Sequence, residues 1–83
     1  MPIKMEKKDG RLEDFDRNKI SGGVAKSGAS PAEAESIANQ IETWAQSAAV
    51  DGVVKSSAIR TKVLELLRSV NPEAAATFEA YKK

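Results

Sequence analysis

Two short stretches of the sequence place cations beside predicted helix starts, an arrangement that suits phosphate binding. In the first stretch, Lys7 and Lys8 precede a predicted Asp9-Gly10 turn, and Lys19 falls in the first turn of the helix that follows. A cation is mildly unfavourable there, because the N-terminal end of a helix is already partly positive. A bound phosphate would remove that penalty, since free backbone N–H groups and the lysine could both contact it. A solvated surface lysine accounts for Lys19 about equally well.

The second stretch runs from the short apolar segment 53–55 into a pair of serines. Ser56 and Ser57 are predicted caps of the next helix, because serine oxygens accept hydrogen bonds from the free N–H groups at a helix start. Arg60 falls in the first turn of that helix. Two helix starts that face each other, each with a cation beside it, would suit a polyphosphate.

The composition excludes several kinds of catalytic site. The 83 residues include no cysteine and no histidine, which rules out thiolate or imidazole zinc ligands and catalysis by either side chain. No phosphate loop of the form GxxxxGK(S/T) occurs, and no GxGxxG follows a predicted strand. The carboxylates Glu13, Asp14 and Asp16 lie close together, but a turn and a helix cap explain them better than an acid/base pair. We therefore predict that the chain is not an enzyme.

The distribution of charge is more informative than its sum, which is +1. Basic side chains are concentrated in residues 4–19 and 55–83, and residues 29–54 contain none. If the two basic segments meet in the fold, they form a cationic patch for an anion. The small net charge argues against nucleic acid as a partner. No apolar run reaches membrane-spanning length and no signal-peptide pattern is present, so we predict a cytoplasmic protein, which the lack of cysteine also fits.

The first predicted element is a β-hairpin. Asp9-Gly10 favours a two-residue type I′ turn, whose central residues both need positive φ. That turn pairs Lys7 with Leu12 on one face of the hairpin and leaves Glu13 on the other, since side chains alternate along a strand. An isolated hairpin is marginal in water, so this one must pack on another element.

Four helices are predicted after the hairpin, and the first two have clear starts. Asp16 is the predicted N-cap of the first helix, with Phe15 and Ile20 at the spacing of a hydrophobic staple. The segment 30–33, Ser-Pro-Ala-Glu, predicts the start of the second helix. It combines an N-cap serine, a proline at the first helical position and a capping-box glutamate.

The other helix boundaries are predicted from glycine, asparagine and proline. Gly28 and Asp51-Gly52 are predicted to end the first and second helices, and Asn71, followed by proline, to cap the fourth. Apolar residues at helical spacing, Trp44 among them, form the predicted core. The order of elements predicts one domain over residues 1–83 with an α+β fold, a four-helix bundle capped by a small β-hairpin or three-stranded sheet.

At the two cation-bearing stretches the chain resembles the ATP-cone family, a regulatory domain of ribonucleotide reductase large subunits and of the zinc-ribbon repressor of their genes. The family opens with a pattern close to V-x-K-R-D-G-x-x-E-x-F-D-x-x-K-I. The residues that match it here are Lys7, Asp9, Gly10, Glu13, Phe15, Asp16, Lys19 and Ile20. Segment 53–59 matches a later strand leading into S/T-S/T-x-I, and segment 74–82 matches a closing alanine-rich helix with an aromatic-basic end.

The resemblance implies a regulatory module that binds ATP or dATP, with Mg²⁺, between the sheet and the bundle. The site residues that it implies are Lys7, Lys8 and Lys19 on the phosphates, Glu13, Phe15, Asp16 and Asn18 along the base and ribose, and Ser56 and Arg60 from the third helix. It also implies control of a protein partner, such as a ribonucleotide reductase or a regulator, or of contacts between copies of the chain. The reductase barrel and the zinc ribbon need cysteines, so the chain looks like the cone alone.

Departures from the family pattern leave a second interpretation open. Lys8 stands where the family has arginine, which keeps the charge but loses bidentate phosphate binding. Met5 replaces a β-branched residue, and the pair Gly22-Gly23 weakens the first helix by about 1 kcal/mol per glycine relative to alanine. The alternative is a protein-interaction domain on the same fold whose nucleotide site has decayed. A nucleic-acid-binding module is a weaker alternative that rests on the basic segments alone.

Overall fold

The computed structural model of the protein describes residues 3–80 and has the element order predicted from the sequence. The strands are β1 (Lys4–Glu6), β2 (Leu12–Asp14) and β3 (Val53–Lys55), and the helices are α1 (Arg17–Lys26), α2 (Pro31–Ala48), α3 (Ser56–Val70) and α4 (Pro72–Ala80). The predicted α+β class, four helices and a three-stranded sheet, is confirmed. The predicted aromatic-basic end at 81–82 lies outside the described residues. Within residues 3–80, no helix is long and apolar enough to cross a membrane.

The sheet has the order β2-β1-β3, with β1 antiparallel to β2 and parallel to β3. The predicted hairpin register is wrong by one residue, because Lys7 N–H donates to the Arg11 carbonyl at 2.8 Å and the loop comprises residues 8–10. The Asp9 carboxylate stabilises this wider loop by accepting from the Arg11 backbone N–H at 3.1 Å. Gly10 takes φ +88 at the end of the loop, as in hairpins closed by a left-handed glycine. Lys7 and Glu13 therefore share the inner face of the sheet.

A hairpin turn with two positive φ values occurs elsewhere in the chain, at Asp51-Gly52. These residues have φ 55 and 77, and the flanking Val50 and Val53 exchange backbone hydrogen bonds of 2.9 and 3.0 Å. Helix α2 ends at Ala48, before this pair and not at it as predicted. The turn reverses the chain after α2 and directs β3 along β1.

Most of the predicted helix starts are confirmed. The Asp16 carboxylate accepts from the Asn18 backbone N–H at the start of α1, and α2 has the complete Ser30–Glu33 capping box. Asn71 caps α4 through its side-chain oxygen, and its side-chain N–H donates to the Glu33 carboxylate at 3.3 Å. The Ser30 backbone N–H, with a smaller effect of Asn71, lowers the pKa of Glu33 below its ordinary 4.5. This pair of caps joins the starts of α2 and α4.

The hydrophobic core lies between the helices, at positions predicted from helical spacing. The largest fully buried side chains are Ile37, Ile41, Leu67, Val24 and Val63, from α1, α2 and α3. Val54 of β3 is also buried, and Met5 of β1 packs against the same cluster. The inner face of the sheet is thereby fixed against the bundle, which positions the residues described next.

Gly22 allows a direct test of helix propensity in α1. A Cβ added there meets no atom within 4 Å, and its φ is not positive, so neither space nor backbone geometry requires glycine. We expect Gly22→Ala to raise the free energy of unfolding by about 1 kcal/mol, measured by urea denaturation. Gly28→Ala is the matched control and should destabilise the protein, because Gly28 has φ +108. A less stable Gly22→Ala variant would contradict this prediction.

Candidate functional site

An apolar cavity of about 170 Å³ lies between the sheet and the helices. Side chains from β1, the β2–α1 connection, α1, α3 and α4 line it. Its apolar walls are Met5, Phe15, Ile20, Ile59, Val63 and Phe78. The remaining lining residues are Asp16, Lys19, Ser56 and Arg60. The cavity therefore suits an apolar ring with polar groups around its edge.

A second pocket, the cationic recess, has a volume of about 220 Å³ and adjoins the apolar cavity at Ser56, which lines both. The residues that line it are Glu6, Lys7, Lys8, Lys55, Ser56 and Ser57. Because β1 and β3 are parallel, their C-terminal ends meet at one edge of the sheet, with Glu6 opposite Lys55. This pairing meets the condition set by the sequence analysis, because it brings the two basic segments together through Lys7 and Lys8 on one strand end and Lys55 on the other.

The start of α3 opens onto this recess. The prediction that Ser56 caps α3 is wrong, since Ser56 is its first residue and Lys55 occupies the N-cap without a side-chain hydrogen bond. Strand β3 runs directly into α3, so a lysine must take the cap position, and a lysine side chain cannot accept a hydrogen bond. The first N–H groups of α3 lack a capping acceptor, and their partial positive charge adds to that of the lysines.

The start of α1 differs from the start of α3. The Asn18 backbone N–H donates to the predicted cap residue Asp16 at 2.9 Å. Arg17 points away to α2, where its Nη2 atom donates to Glu35 Oε1 at 2.9 Å. Lys19 lines the apolar cavity, and it forms no ion pair with another residue of the range 3–80. At this helix start, the lysine side chain is available to an anion and the capped amide is not.

Lys7 and Glu13 are paired on the inner face of the hairpin. Their Nζ and Oε1 atoms are 3.8 Å apart, with 39% and 37% of the side chains exposed. The corrected register puts Glu13 opposite Met5, one step from Lys7 along the same face. The ion pair holds the Lys7 ammonium beside the recess. It also partly neutralises the positive charge of that ammonium. An exposed pair of this kind is weak enough to be exchanged for an anion.

Arg60 connects α3 to the end of α4. Its Nη2 atom donates to the Phe78 carbonyl at 3.1 Å and lies 3.4 Å from the Glu79 carbonyl oxygen. The guanidinium carbon is 4.9 Å from the centroid of the Phe78 ring. Arg60 therefore contacts both the backbone and the ring of Phe78. The same ring forms a wall of the apolar cavity.

The two pockets contain all the predicted site residues except Glu13 and Asn18. Glu13 contacts Lys7 without lining either pocket, and Asn18 is exposed beside the cap of α1. The sequence argument missed Lys55 in the recess and Met5, Ile59, Val63 and Phe78 in the cavity walls. Lys55 lies inside the second motif. A cation at the junction of a predicted strand and a predicted helix is a signal that could have pointed to it. Met5 and Ile59 stood at positions of the two motifs, whereas Val63 and Phe78 carried no signal beyond apolar character at helical spacing.

A separate groove of about 460 Å³ runs between α2 and α3. The residues that line it are Asn39, Gln40, Thr43, Trp44, Lys62 and Leu66. Trp44, predicted for the core, is only partly buried and packs against the core cluster from this groove. Among residues 3–80, Lys62 is the only cation in the lining, and its Nζ atom is 3.7 Å from Glu65 Oε1. The groove lacks the cluster of cations found in the recess.

Comparison with known protein families finds a match over all of the described residues. A family model described as the ATP cone domain matches residues 3–83, nearly the whole chain. A comparison with curated proteins finds no match.

Proposed function

This chain belongs to the ATP-cone family, whose members are nucleotide-binding regulatory modules, and we propose that it is a sensor of ATP or dATP. The module spans the chain as a single domain, and its role is to bind nucleotide and not to transform it. The proposal places it in the cytoplasm, in keeping with the absence of cysteine.

One observation carries the proposal: an apolar cavity and a cationic recess adjoin at Ser56. A nucleoside triphosphate has the same two parts, a flat base and a polyanionic tail, joined by a ribose. A ligand that spans the two pockets would bury its base against Phe15 and Phe78. Its phosphates would then face Lys7 and Lys8, and Ser56 would bond to it at the junction. Apolar walls with a few convergent polar groups are the usual form of such sites.

The phosphate end of the proposed site combines side chains with backbone. Lys7, Lys8 and Lys55 line the recess, and Lys19 reaches the ligand from the cavity side. The uncapped start of α3 supplies N–H groups, which bind phosphate well because the helix dipole favours an anion there. Among residues 3–80 no cluster of three or more metal-ligating side chains occurs. In this proposal Mg²⁺ therefore arrives on the phosphates of the nucleotide.

The base and ribose end is built mainly from the β2–α1 connection. Phe15 and Asp16 line the cavity, so the ring can contact the base and the carboxylate can accept a hydrogen bond from the ligand. Glu13 acts in this proposal by orienting Lys7, to which it is paired. Asn18 remains a proposed ribose contact, and Arg60 borders the base.

Regulation requires that the nucleotide favour one of two states of the domain. We propose that occupancy of the site changes the contacts of the domain with a protein partner, such as a ribonucleotide reductase or its regulator, or with a second copy of the chain. The cavity is lined by four of the elements, including α1 and α4, so a ligand there can alter how these helices pack.

Thermal unfolding with ATP, dATP, ADP and GTP, each with and without Mg²⁺, tests the proposed function. Nucleotide at 100 times its dissociation constant should add about 2.7 kcal/mol to the free energy of unfolding. For a domain of this size the midpoint should rise by roughly 10–20 °C. Stabilisation by ATP or dATP beyond that by GTP supports the sensor. No shift with any nucleotide at millimolar concentration contradicts it and leaves the protein-interaction alternative.

A further inference from the structure

We propose that Arg60 is a positioning residue, which fixes Phe78 as a wall of the apolar cavity and does not bind phosphate. The inference rests on the proposed nucleotide site and deepens it. It assigns Arg60 to recognition of the base, whereas the family resemblance suggests only a polar contact with the ligand.

Arg60 contacts two residues of α4, Phe78 and Glu79. Its Nη2 atom donates to the Phe78 carbonyl oxygen at 3.1 Å and to the Glu79 carbonyl oxygen at 3.4 Å, and the guanidinium stacks on the Phe78 ring at 4.9 Å. The two contacts with Phe78 are of different kinds, and they act on both its backbone and its ring. Arg60 forms no ion pair with a carboxylate among residues 3–80. The positive charge of the Arg60 guanidinium therefore lies against the carbonyl oxygens of Phe78 and Glu79 in α4.

The described part of α4, Pro72–Ala80, is nine residues long, a length at which a helix is marginal without outside contacts. Arg60 supplies such a contact near the end of this part, through the Phe78 and Glu79 carbonyl oxygens. A phosphate would have to compete with these carbonyl oxygens for the guanidinium. No residue of the described part of α4 lines the recess, so the carbonyl oxygens of that helix do not compete with a phosphate for the lysines there. Arg60 does not line the recess either.

Phe78 also lies close to α1 at Gly23, where an added Cβ would be 3.7 Å from Phe78 Cε1. Glycine offers no side chain to hold the ring at that point. Phe78 packs against the core cluster, and Arg60 adds a planar contact and a backbone hydrogen bond to that packing. A residue of α3 thus contributes to fixing the cavity wall that α4 supplies.

The substitution Arg60→Lys separates charge from positioning. Lysine keeps the positive charge, but it loses the planar stacking surface and the forked donors. We expect ATP binding to weaken about tenfold, given the strength of such stacked contacts and hydrogen bonds. Binding of inorganic tripolyphosphate, which has no base, should change by less than about twofold, since the charge is conserved. Isothermal titration calorimetry measures both ligands.

Three further variants serve as controls. Phe78→Leu should lose ATP affinity to a similar extent, and the double variant with Arg60→Lys should lose little more, because both changes remove the same wall. Lys8→Ala, in the recess, should weaken the binding of ATP and of tripolyphosphate to the same extent.

Nuclear magnetic resonance of the free protein tests the positioning role directly. Arg60→Lys should shift the ring resonances of Phe78 and leave those of Phe15 unchanged. The chain has only these two phenylalanines, so the signals can be assigned.

The inference is overturned if Arg60→Lys binds ATP as tightly as the unsubstituted protein. It is equally overturned if the variant loses tripolyphosphate and ATP in the same proportion, which would make Arg60 a phosphate ligand. Additive losses in the double variant would also count against it. These results leave the nucleotide site intact, whereas failure of the unsubstituted protein to bind ATP at all would remove the proposed function itself.

Discussion

Replacing Lys7 and Lys19 together by alanine is expected to weaken ATP binding by at least about a hundredfold. The two ammonium groups reach the proposed ligand from different sides, Lys7 in the recess and Lys19 from the first turn of α1. Each hydrogen bond to a charged group contributes about 1.5–3 kcal/mol, and every 1.4 kcal/mol is about a tenfold change in affinity. Calorimetric titration with ATP and Mg²⁺ measures the loss, which should be smaller in each single variant.

A matched pair of lysines controls for the loss of net charge. Lys26→Ala combined with Lys62→Ala removes the same charge from residues that line neither pocket. Long-range attraction is screened within about 10 Å at ordinary salt, so this double variant should bind ATP almost normally. Equal losses in the two double variants would show that the affinity reflects overall charge and not this site.

Leu67→Ala is expected to have the largest effect on stability, and ATP should partly reverse it. Leu67 is fully buried in α3, with 0% exposure, and truncation of such a leucine costs about 2–5 kcal/mol. A chain of this length has roughly 4–12 kcal/mol of total stability. The unfolding midpoint should therefore fall by roughly 10–30 °C. Saturating ATP should recover about 2.7 kcal/mol, because the pockets lie outside the site of truncation.

Val70→Ala is the control for Leu67→Ala. Val70 belongs to the same helix but is 49% exposed, so its truncation should cost well under about 1 kcal/mol. Circular dichroism melts of both variants, with and without ATP, make the comparison. A Leu67→Ala variant as stable as Val70→Ala would mean that the core is not packed around α3 as described.

The helix starts were predictable because their signals are local. Asp16, Ser30, Glu33 and Asn71 all make hydrogen bonds within three residues of their own position. Such contacts depend on the sequence itself and hardly on the rest of the fold. The prediction failed at α3, where the serines following Lys55 were expected to cap the helix. Strand β3 runs directly into α3, so its last residue, Lys55, occupies the cap position, and a lysine side chain cannot accept a hydrogen bond.

The two Asp-Gly pairs show what local sequence could not decide. Asp9-Gly10 was assigned a two-residue turn that occurs instead at Asp51-Gly52. Both dipeptides tolerate left-handed backbone, so the choice depends on the strands that each turn must join. At residues 8–10 the Asp9 side chain accepts a hydrogen bond that stabilises a wider loop. The wider loop shifts the strand register by one residue, so that Lys7 and Glu13 lie on the same face and form an ion pair.

More of the charged residues than of the apolar walls of the candidate site could be predicted from the sequence. Lys7, Lys8 and Lys19 were singled out as cations beside a turn and a helix start, but Lys55 was not, and of the apolar walls only Phe15 was in the predicted site. Phe78 is an ordinary apolar residue of a short helix, and only the packing of α4 beside α1 and α3 brings it to the cavity. Its connection to Arg60 spans 18 residues of sequence, a separation that no local pattern reports.

Titration of ¹⁵N-labelled protein with ATP and Mg²⁺, followed by amide chemical shifts, tests the central claim most directly. The account predicts saturable shifts at residues 5–8, 15–20, 53–60 and around Phe78, with GTP weaker than ATP. The amide shifts should change little at the residues that line the separate groove, which are Asn39, Gln40, Thr43, Trp44, Lys62 and Leu66. Shifts confined to that groove, or no saturable shifts at millimolar ATP, would contradict a nucleotide site between the sheet and the helices.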